Sequence, residues 1–260
     1  MKKQTYKNLN SYSGLESIIS TLMGPNGCPW DQQQTHETLK RNLLEECYEL
    51  LEAIDNKDNK NIAEELGDIL LQVALHIHLG ASNNTFNRKD VFNNINKKLI
   101  KRHPHIFADD YATTADDVKQ NWENIKQKER GPSSRLSGIP ATLPALAHSQ
   151  LIQERASMAG FDWDKLDGTL DKIAEEITEF KQAKTEQEKE FEMGDILFSV
   201  VNLSRWIKLS AEDSLRIANK RFSTRFEYME NKCKELGLNF MDLDMTFKEK
   251  LWKEAKTELE

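Results

Sequence analysis

Glu175-Glu176-Ile177-Thr178-Glu179, then Glu192-Met193-Gly194-Asp195 at the head of Ile196-Leu197-Phe198-Ser199-Val200-Val201, is the stretch on which the reading of this chain turns. Glu176 and Glu179 are three apart and Glu175 and Glu179 four apart, so all three project from one face of an α-helix, and so do Glu192 and Asp195 three apart. Apolar residues recur at three- and four-residue steps from Leu170 to Phe180 and from Phe191 to Trp206, which predicts two amphipathic helices. Packed antiparallel, these helices would gather Glu176, Glu179, Glu192 and Asp195. Four carboxylates a few ångströms apart raise one another's pKa unless a cation sits among them, and hard oxygen donors suit Mg²⁺, with Mn²⁺ as the alternative. Taken alone, the E-E-x-x-E fragment reads more readily as a solvated helix face or as a set of i,i+4 partners for Lys, and Glu192 and Asp195 as first-turn charges on a helix dipole.

Repetition strengthens the metal reading. Glu45-Glu46-Cys47-Tyr48-Glu49 matches the first acidic motif, and Glu65-Leu66-Gly67-Asp68, leading into Ile69-Leu70-Leu71-Gln72-Val73, matches the second. Working outward, Gly27-Cys28-Pro29-Trp30-Asp31 faces Gly160-Phe161-Asp162-Trp163-Asp164. Asn96-Lys97-Lys98 with Arg102 faces Asn219-Lys220-Arg221 with Arg225, and Trp122 with Lys126 faces Trp252 with Lys256. The order is the same throughout, as expected of a degenerate tandem duplication.

Between the copies, Gly131 to Ala145 holds Pro132, Pro140 and Pro144, half of the six prolines, together with Gly131, Gly138 and three serines. Such a stretch reads as a linker. The expected organisation is therefore an N-terminal domain over 1–130, a linker over 131–147 and a C-terminal domain over 148–260. Composition agrees: 38% hydrophobic and 30% charged residues, with few glycines and prolines in 260 residues, fit an all-α protein of helical bundles better than a sandwich or barrel. Lys and Arg total 36 against 43 Asp and Glu, so a net charge of −7 gives no global signature of a nucleic-acid or membrane-surface binder. Three cysteines, Cys28, Cys47 and Cys233, lack CxxC spacing and suit a reducing compartment. Lys2, Lys3 and Lys7 are not followed by an apolar leader segment, and no run of 18 apolar residues exists, so a cytoplasmic location is expected.

An acidic protein that holds an anion must meet it with local cations or a metal. Lys220, Arg221 and Arg225, with Arg216 upstream, place several cations on one helical stripe, a clamp suited to phosphate oxygens or else a solvated basic face. Trp163 precedes the first acidic helix of the second half, and Trp252 lies four residues before Lys256. These residues suit stacking on a base or packing in a core. His36, His76, His78, His103, His105 and His148 never form E-x-x-H, which argues against a di-iron carboxylate centre. There is no G-x-x-x-x-G-K-[ST] or G-x-S-x-G, so neither a P-loop nor a serine nucleophile is indicated.

The paired E-E-x-x-E and E-x-x-D motifs, Gly27-Cys28-Pro29-Trp30-Asp31, Arg102-His103-Pro104-His105 and Gly160-Phe161-Asp162-Trp163 together resemble the MazG family over nearly the whole chain. The resemblance implies an all-α NTP pyrophosphatase fold with four helices per domain, usually in a homodimer, and Mg²⁺-dependent hydrolysis of NTP to NMP and pyrophosphate. It places metal ligands on Glu176, Glu179, Glu192 and Asp195, phosphate-binding cations on Arg221 and Arg225, and further nucleotide contacts on Trp252 and Lys256. The nearest match to a family lysine before E-x-x-D is Lys189. Water would attack the α-phosphorus, with Glu175 either taking its proton or holding a metal-bound water from outside the ligand set. The C-terminal domain is expected to carry the activity, although Glu46, Glu49, Glu65, Asp68, Lys98, Arg102, Trp122 and Lys126 retain the full set for a second site. Two other readings stand beside this one: a non-enzymatic helical interaction protein, and a hydrolase restricted to dUTP-like, modified or signalling nucleotides.

Overall fold

A computed structural model of the chain describes residues 8–108, 114–131 and 134–259. Lys2, Lys3, Lys7 and the linker residues Pro132 and Ser133 lie outside the described residues. The described residues form helices and the turns and loops between them, with no strand among them. The chain divides into two compact units, Met1–Trp122 and Glu123–Glu260.

In the first unit, α1 (Tyr12–Leu22) and a 3₁₀ turn (Asp31–Gln33) precede the hairpin of α2 (Leu39–Asp55) and α3 (Asn59–Ser82). The hairpin turn spans residues 56–58, where Lys57 takes a left-handed conformation and the Asp58 carboxylate caps α3 by accepting from the Lys60 and Asn61 backbone N–H groups. So short a turn sends α3 back antiparallel along α2. Ile19, Leu39, Ala74, Leu75 and Leu79 form the buried core, with Tyr12, Leu15, Met23 and Leu71 packed around it. At its edge, His36 and His76 meet with their Nδ1 atoms 2.7 Å apart. Their rings lie within 2° of parallel with centroids 5.0 Å apart, the separation of two imidazoles meeting edge to edge in one plane. Two further helices follow, α4 (Arg88–Arg102) and α5 (Pro104–Phe107), and then α6 (Ala115–Arg130) begins.

The division between units falls within α6 at Trp122, upstream of the expected end at 130. The reason is local: Glu123 and Gln127 on the later part of α6 share a small cavity with Arg135, Arg155 and Met158 of the second unit. The expected linker is also shorter at its far end, because α7 (Ala145–Met158) starts directly after Pro144, whose fixed φ suits a helix entry. Its remaining backbone is held in part by the Arg155 guanidinium, which donates to the Ser137 carbonyl at 2.7 Å.

The second unit repeats the hairpin as α8 (Leu166–Gln182) and α9 (Glu186–Trp206), turning over residues 183–185. Thr185 and Glu188 close a capping box at the start of α9. After it come α10 (Ala211–Glu235), a 3₁₀ turn (Phe240–Asp242) and α11 (Met245–Leu259). Met229, Cys233 and Leu251 form a core against Phe240, Leu243, Phe247 and Trp252. Asp162 braces the unit through its pairing with Arg205 (Nη1 to Oδ2, 2.8 Å) and a bond from Trp206 Nε1 at 3.1 Å. No helix among the described residues is long and apolar enough to cross a membrane.

Candidate metal centre

Each hairpin brings three carboxylates together. In the second unit, oxygen atoms of Glu176, Glu179 and Glu192 lie within 4.8 Å of one another, and in the first unit so do those of Glu46, Glu49 and Glu65. The i, i+3 pair comes from one turn of the first helix and the third carboxylate from the antiparallel partner, as the spacing requires. Asp195 and Asp68, one turn further along their helices, lie outside these tight groups. Asp68 is nevertheless close enough to act on its neighbours. Glu46 is pushed above the usual carboxylate range by burial and then by Asp68, Glu49 and Glu65, and Glu65 by burial, Glu49 and Asp68. Glu49 hydrogen-bonds to both.

The second triad has a resident cation that sequence reading missed. Lys172 Nζ lies 2.7 Å from Glu176 Oε1 and 2.9 Å from Glu175 Oε1. These contacts, Glu176 first, raise the lysine above its ordinary range against the opposing effect of burial. The signal was present: Lys172 precedes Glu176 by four positions on one helix face. Its counterpart in the duplication is Asn42, which carries no charge. Glu176 is 4% exposed, a buried carboxylate with its partner in place. Glu179 is raised by burial and by Glu176, Glu192 and Glu175, with Lys172 pulling it back. Hard oxygen donors in tight groups whose carboxylates repel one another fit a divalent cation such as Mg²⁺. Glu175 stands outside the triad, exposed and paired with Lys172.

The other expected site residues fall in separate places. Lys189 pairs with Glu186 on the first turn of α9 at 2.9 Å. Arg225 is buried, with its guanidinium 5.4 Å from the centre of the Trp252 ring. The first unit repeats this contact, with Arg102 5.5 Å from the centre of Trp122. The duplication thus reproduces the cation–aromatic contact as well as the triad. Arg221 and Lys256 are exposed on α10 and α11, and Lys98 is exposed on α4. Lys126, beyond the unit boundary on α6, pairs with Glu123 at 2.7 Å. The largest charge effects on Glu179 come from Glu176, Glu192, Glu175 and Lys172, all on α8 and α9.

Known proteins resemble this chain over the same span. The MazG nucleotide pyrophosphohydrolase domain matches residues 34–107, from the approach to α2 through α5. A Thermotoga maritima protein named nucleoside triphosphate pyrophosphohydrolase/pyrophosphatase MazG is 45% identical over 247 residues, covering 94% of this chain and 95% of the relative. The Escherichia coli K12 nucleoside triphosphate pyrophosphohydrolase is 40% identical over 257 residues, 95% of this chain and 98% of its own. The Bacillus subtilis protein YabN is 44% identical over 95% of this chain and 52% of its own length. With both acidic hairpins inside these alignments, the chain belongs to the MazG nucleotide pyrophosphohydrolase family.

Proposed function

We propose that this protein hydrolyses nucleoside triphosphates, broad in base and including aberrant ones, to the monophosphate and pyrophosphate, and that the second unit carries the activity. The observation behind this reading is the convergence of Glu176, Glu179 and Glu192 with Lys172 beside them. Those three glutamates, with Asp195 one turn away, would hold Mg²⁺, or Mn²⁺ in its place. The ion would offset triphosphate charge and lower the pKa of an attacking water. Glu175, exposed and paired with Lys172, would take the water's proton. Arg221, Arg225, Trp252, Lys256 and Lys189 are assigned to the nucleotide. A second copy of the chain is expected beside the first in a homodimer. Large apolar side chains on α8 and α9 support such a homodimer: Leu170, Ile177, Met193, Leu197 and Val200 are each more than a third exposed, as are Leu44, Leu51, Leu66 and Leu70 on α2 and α3. Three free cysteines fit a cytoplasmic protein.

The test is direct. The purified chain is incubated with each canonical and several modified NTPs plus Mg²⁺, and products are identified as NMP with pyrophosphate or NDP with phosphate. Absence of NMP and pyrophosphate from every substrate overturns the reaction. Glu176→Gln is assayed beside Glu46→Gln, and loss of activity from Glu46→Gln alone moves the active site to the first unit. Glu175→Gln should preserve nucleotide binding while lowering turnover, and unchanged turnover removes it from the mechanism.

A further inference from the structure

The first unit holds a titratable pair that the nucleotide reading leaves unused. His36 lies on the approach to α2 and His76 on α3, both half-buried, with their Nδ1 atoms 2.7 Å apart. At that separation, with the rings in one plane, one Nδ1 carries a proton and the other offers its lone pair. Two neutral imidazoles satisfy this arrangement, and a single imidazolium satisfies it with a stronger, charge-assisted bond. A further proton breaks it, because two N–H groups would oppose each other at hydrogen-bond distance and two positive charges would meet in a half-buried place. The contact holds while the pair is neutral or singly charged and fails when both rings are charged.

Carboxylates on the surrounding elements have partners of their own. Glu37, beside His36, reaches Lys40 of α2 at 3.7 Å, and Glu16 of α1 pairs with Arg88 of α4 at 2.5 Å. Asp90 of α4 accepts from the Asn87 backbone N–H at 2.9 Å. His78, two residues past His76 and so on a different side of α3, lines a cavity with Glu16, Arg88 and Lys89. His76 is pushed below its ordinary value by burial first and then by His36.

Phe86 carries the state of the pair to its surroundings. Its ring lies 5.9 Å from that of His36 and within 28° of parallel. It also fills the space at Gly80, where an added Cβ would come within 2.5 Å of it. The backbone here folds back on the end of α3, with the Thr85 N–H and Oγ1 donating to the Gly80 carbonyl at 3.0 and 3.1 Å. Phe86 thus joins the pair to the turn from which α4 starts, and α4 carries Lys98 and Arg102. We infer that His36, His76 and Phe86 form a proton-operated latch: charging both rings parts them, frees Phe86 from His36 and loosens the turn over residues 83–87 that seats α4. At the position of His76 the second unit has Leu203, so the device belongs to the first unit alone and stands independently of the reaction proposed above.

The full chain is followed from about pH 7.5 to about pH 4.5 by NMR of its histidine side chains and by hydrogen exchange, with rates corrected for their intrinsic dependence on pH. His36 and His76 should titrate in two coupled steps, and in the second the amides of residues 80–87 should exchange about tenfold faster while those of α8 and α9 keep their protection. His36→Gln keeps a hydrogen-bonding amide opposite His76 and takes up no proton, so it should abolish the acid increase, whereas His78→Gln should retain it. Melting curves at neutral pH check that both variants fold, and if His36→Gln does not, the titration of the unaltered chain decides. Independent titration of the two histidines, unchanged exchange at 80–87 across the range, an increase that persists in folded His36→Gln, or one lost equally in His78→Gln would each overturn the latch.

Discussion

The two acidic hairpins share their ligand spacing and differ in how they answer the same repulsion. In the first, Glu46 and Glu65 are raised and Glu49 hydrogen-bonds to both. In the second, Lys172 contacts Glu176 at 2.7 Å, at the position where the first unit has Asn42. Glu179 of the second triad is raised as well, with Lys172 pulling it back. Similar backbone geometry therefore does not make the two sites chemically equivalent, and one residue a turn upstream of the ligands separates them.

The largest expected effect comes from the ligands themselves. Glu192→Gln should lower kcat by about 100-fold or more if its carboxylate holds a catalytic cation, whereas Glu65→Gln should change it less than about twofold. Equal losses in steady-state assays would break the distinction between the units. Next comes the lysine. Lys172→Asn should move the acid limb of the pH–rate profile upward, because Glu179 loses the positive charge that holds its carboxyl down. If that limb moves by about one pH unit, the rate at a fixed pH on it falls about tenfold with the ionised fraction. The converse Asn42→Lys should bring Glu46 back toward its ordinary range, read by NMR titration of its side chain. Indifference of both profiles would show that the resident cation does not matter.

A third contrast lies in the braces. Burial alone would raise Asp162, but side-chain bonds from Arg205 and Ser157 and the Trp163 backbone N–H outweigh it and bring it down to about 2 from 3.8. The first unit has Pro29 and His78 at the corresponding positions. A depressed carboxyl contributes stability that is complete above its unfolded value and is lost as pH falls from about 4 toward 2. Asp162→Asn should thus lower the melting temperature at pH 7, by about 1–3 kcal/mol in stability, and flatten the acid limb of the second unit alone. The smallest effect belongs to the first unit. His76 is lowered from 6.5 by burial and by His36, so its contribution is complete above about 6.5 and is lost as pH falls from there through its folded value. Hydrogen exchange should show the first unit loosening between pH 7 and 5. The second, with Leu203 at the matching position, should not respond in that way.

The parts of this molecule that repeat locally were legible in the sequence. Three- and four-residue periodicity marks α2, α3, α8 and α9, and i, i+3 spacing puts Glu176 beside Glu179 before any tertiary information is used. What escaped depends on the third dimension. Asp195 shares a face with Glu192, yet the helical rise carries it out of the tight group. The contact of Arg225 with Trp252 joins α10 to α11 across a turn, and His36 and His76, 40 positions apart, meet only in the folded unit. Lys172 was within reach of sequence reasoning, since its spacing to Glu176 is that of an ion pair, and the emphasis on carboxylates obscured it.

The short turn between α8 and α9 has a kinetic consequence. Because residues 183–185 alone separate the helices, Glu176, Glu179 and Glu192 are brought together by closing a small loop, and a helical hairpin of such local contacts forms early compared with pairings distant in sequence. On that order the mutual repulsion of the three carboxylates would be met before the remaining helices dock, with Lys172, one turn from Glu176 on the same helix, as the local counter-charge. Ligands encoded in one contiguous hairpin can also be copied whole when a stretch of chain is duplicated, which leaves each copy free to acquire its own counter-charge.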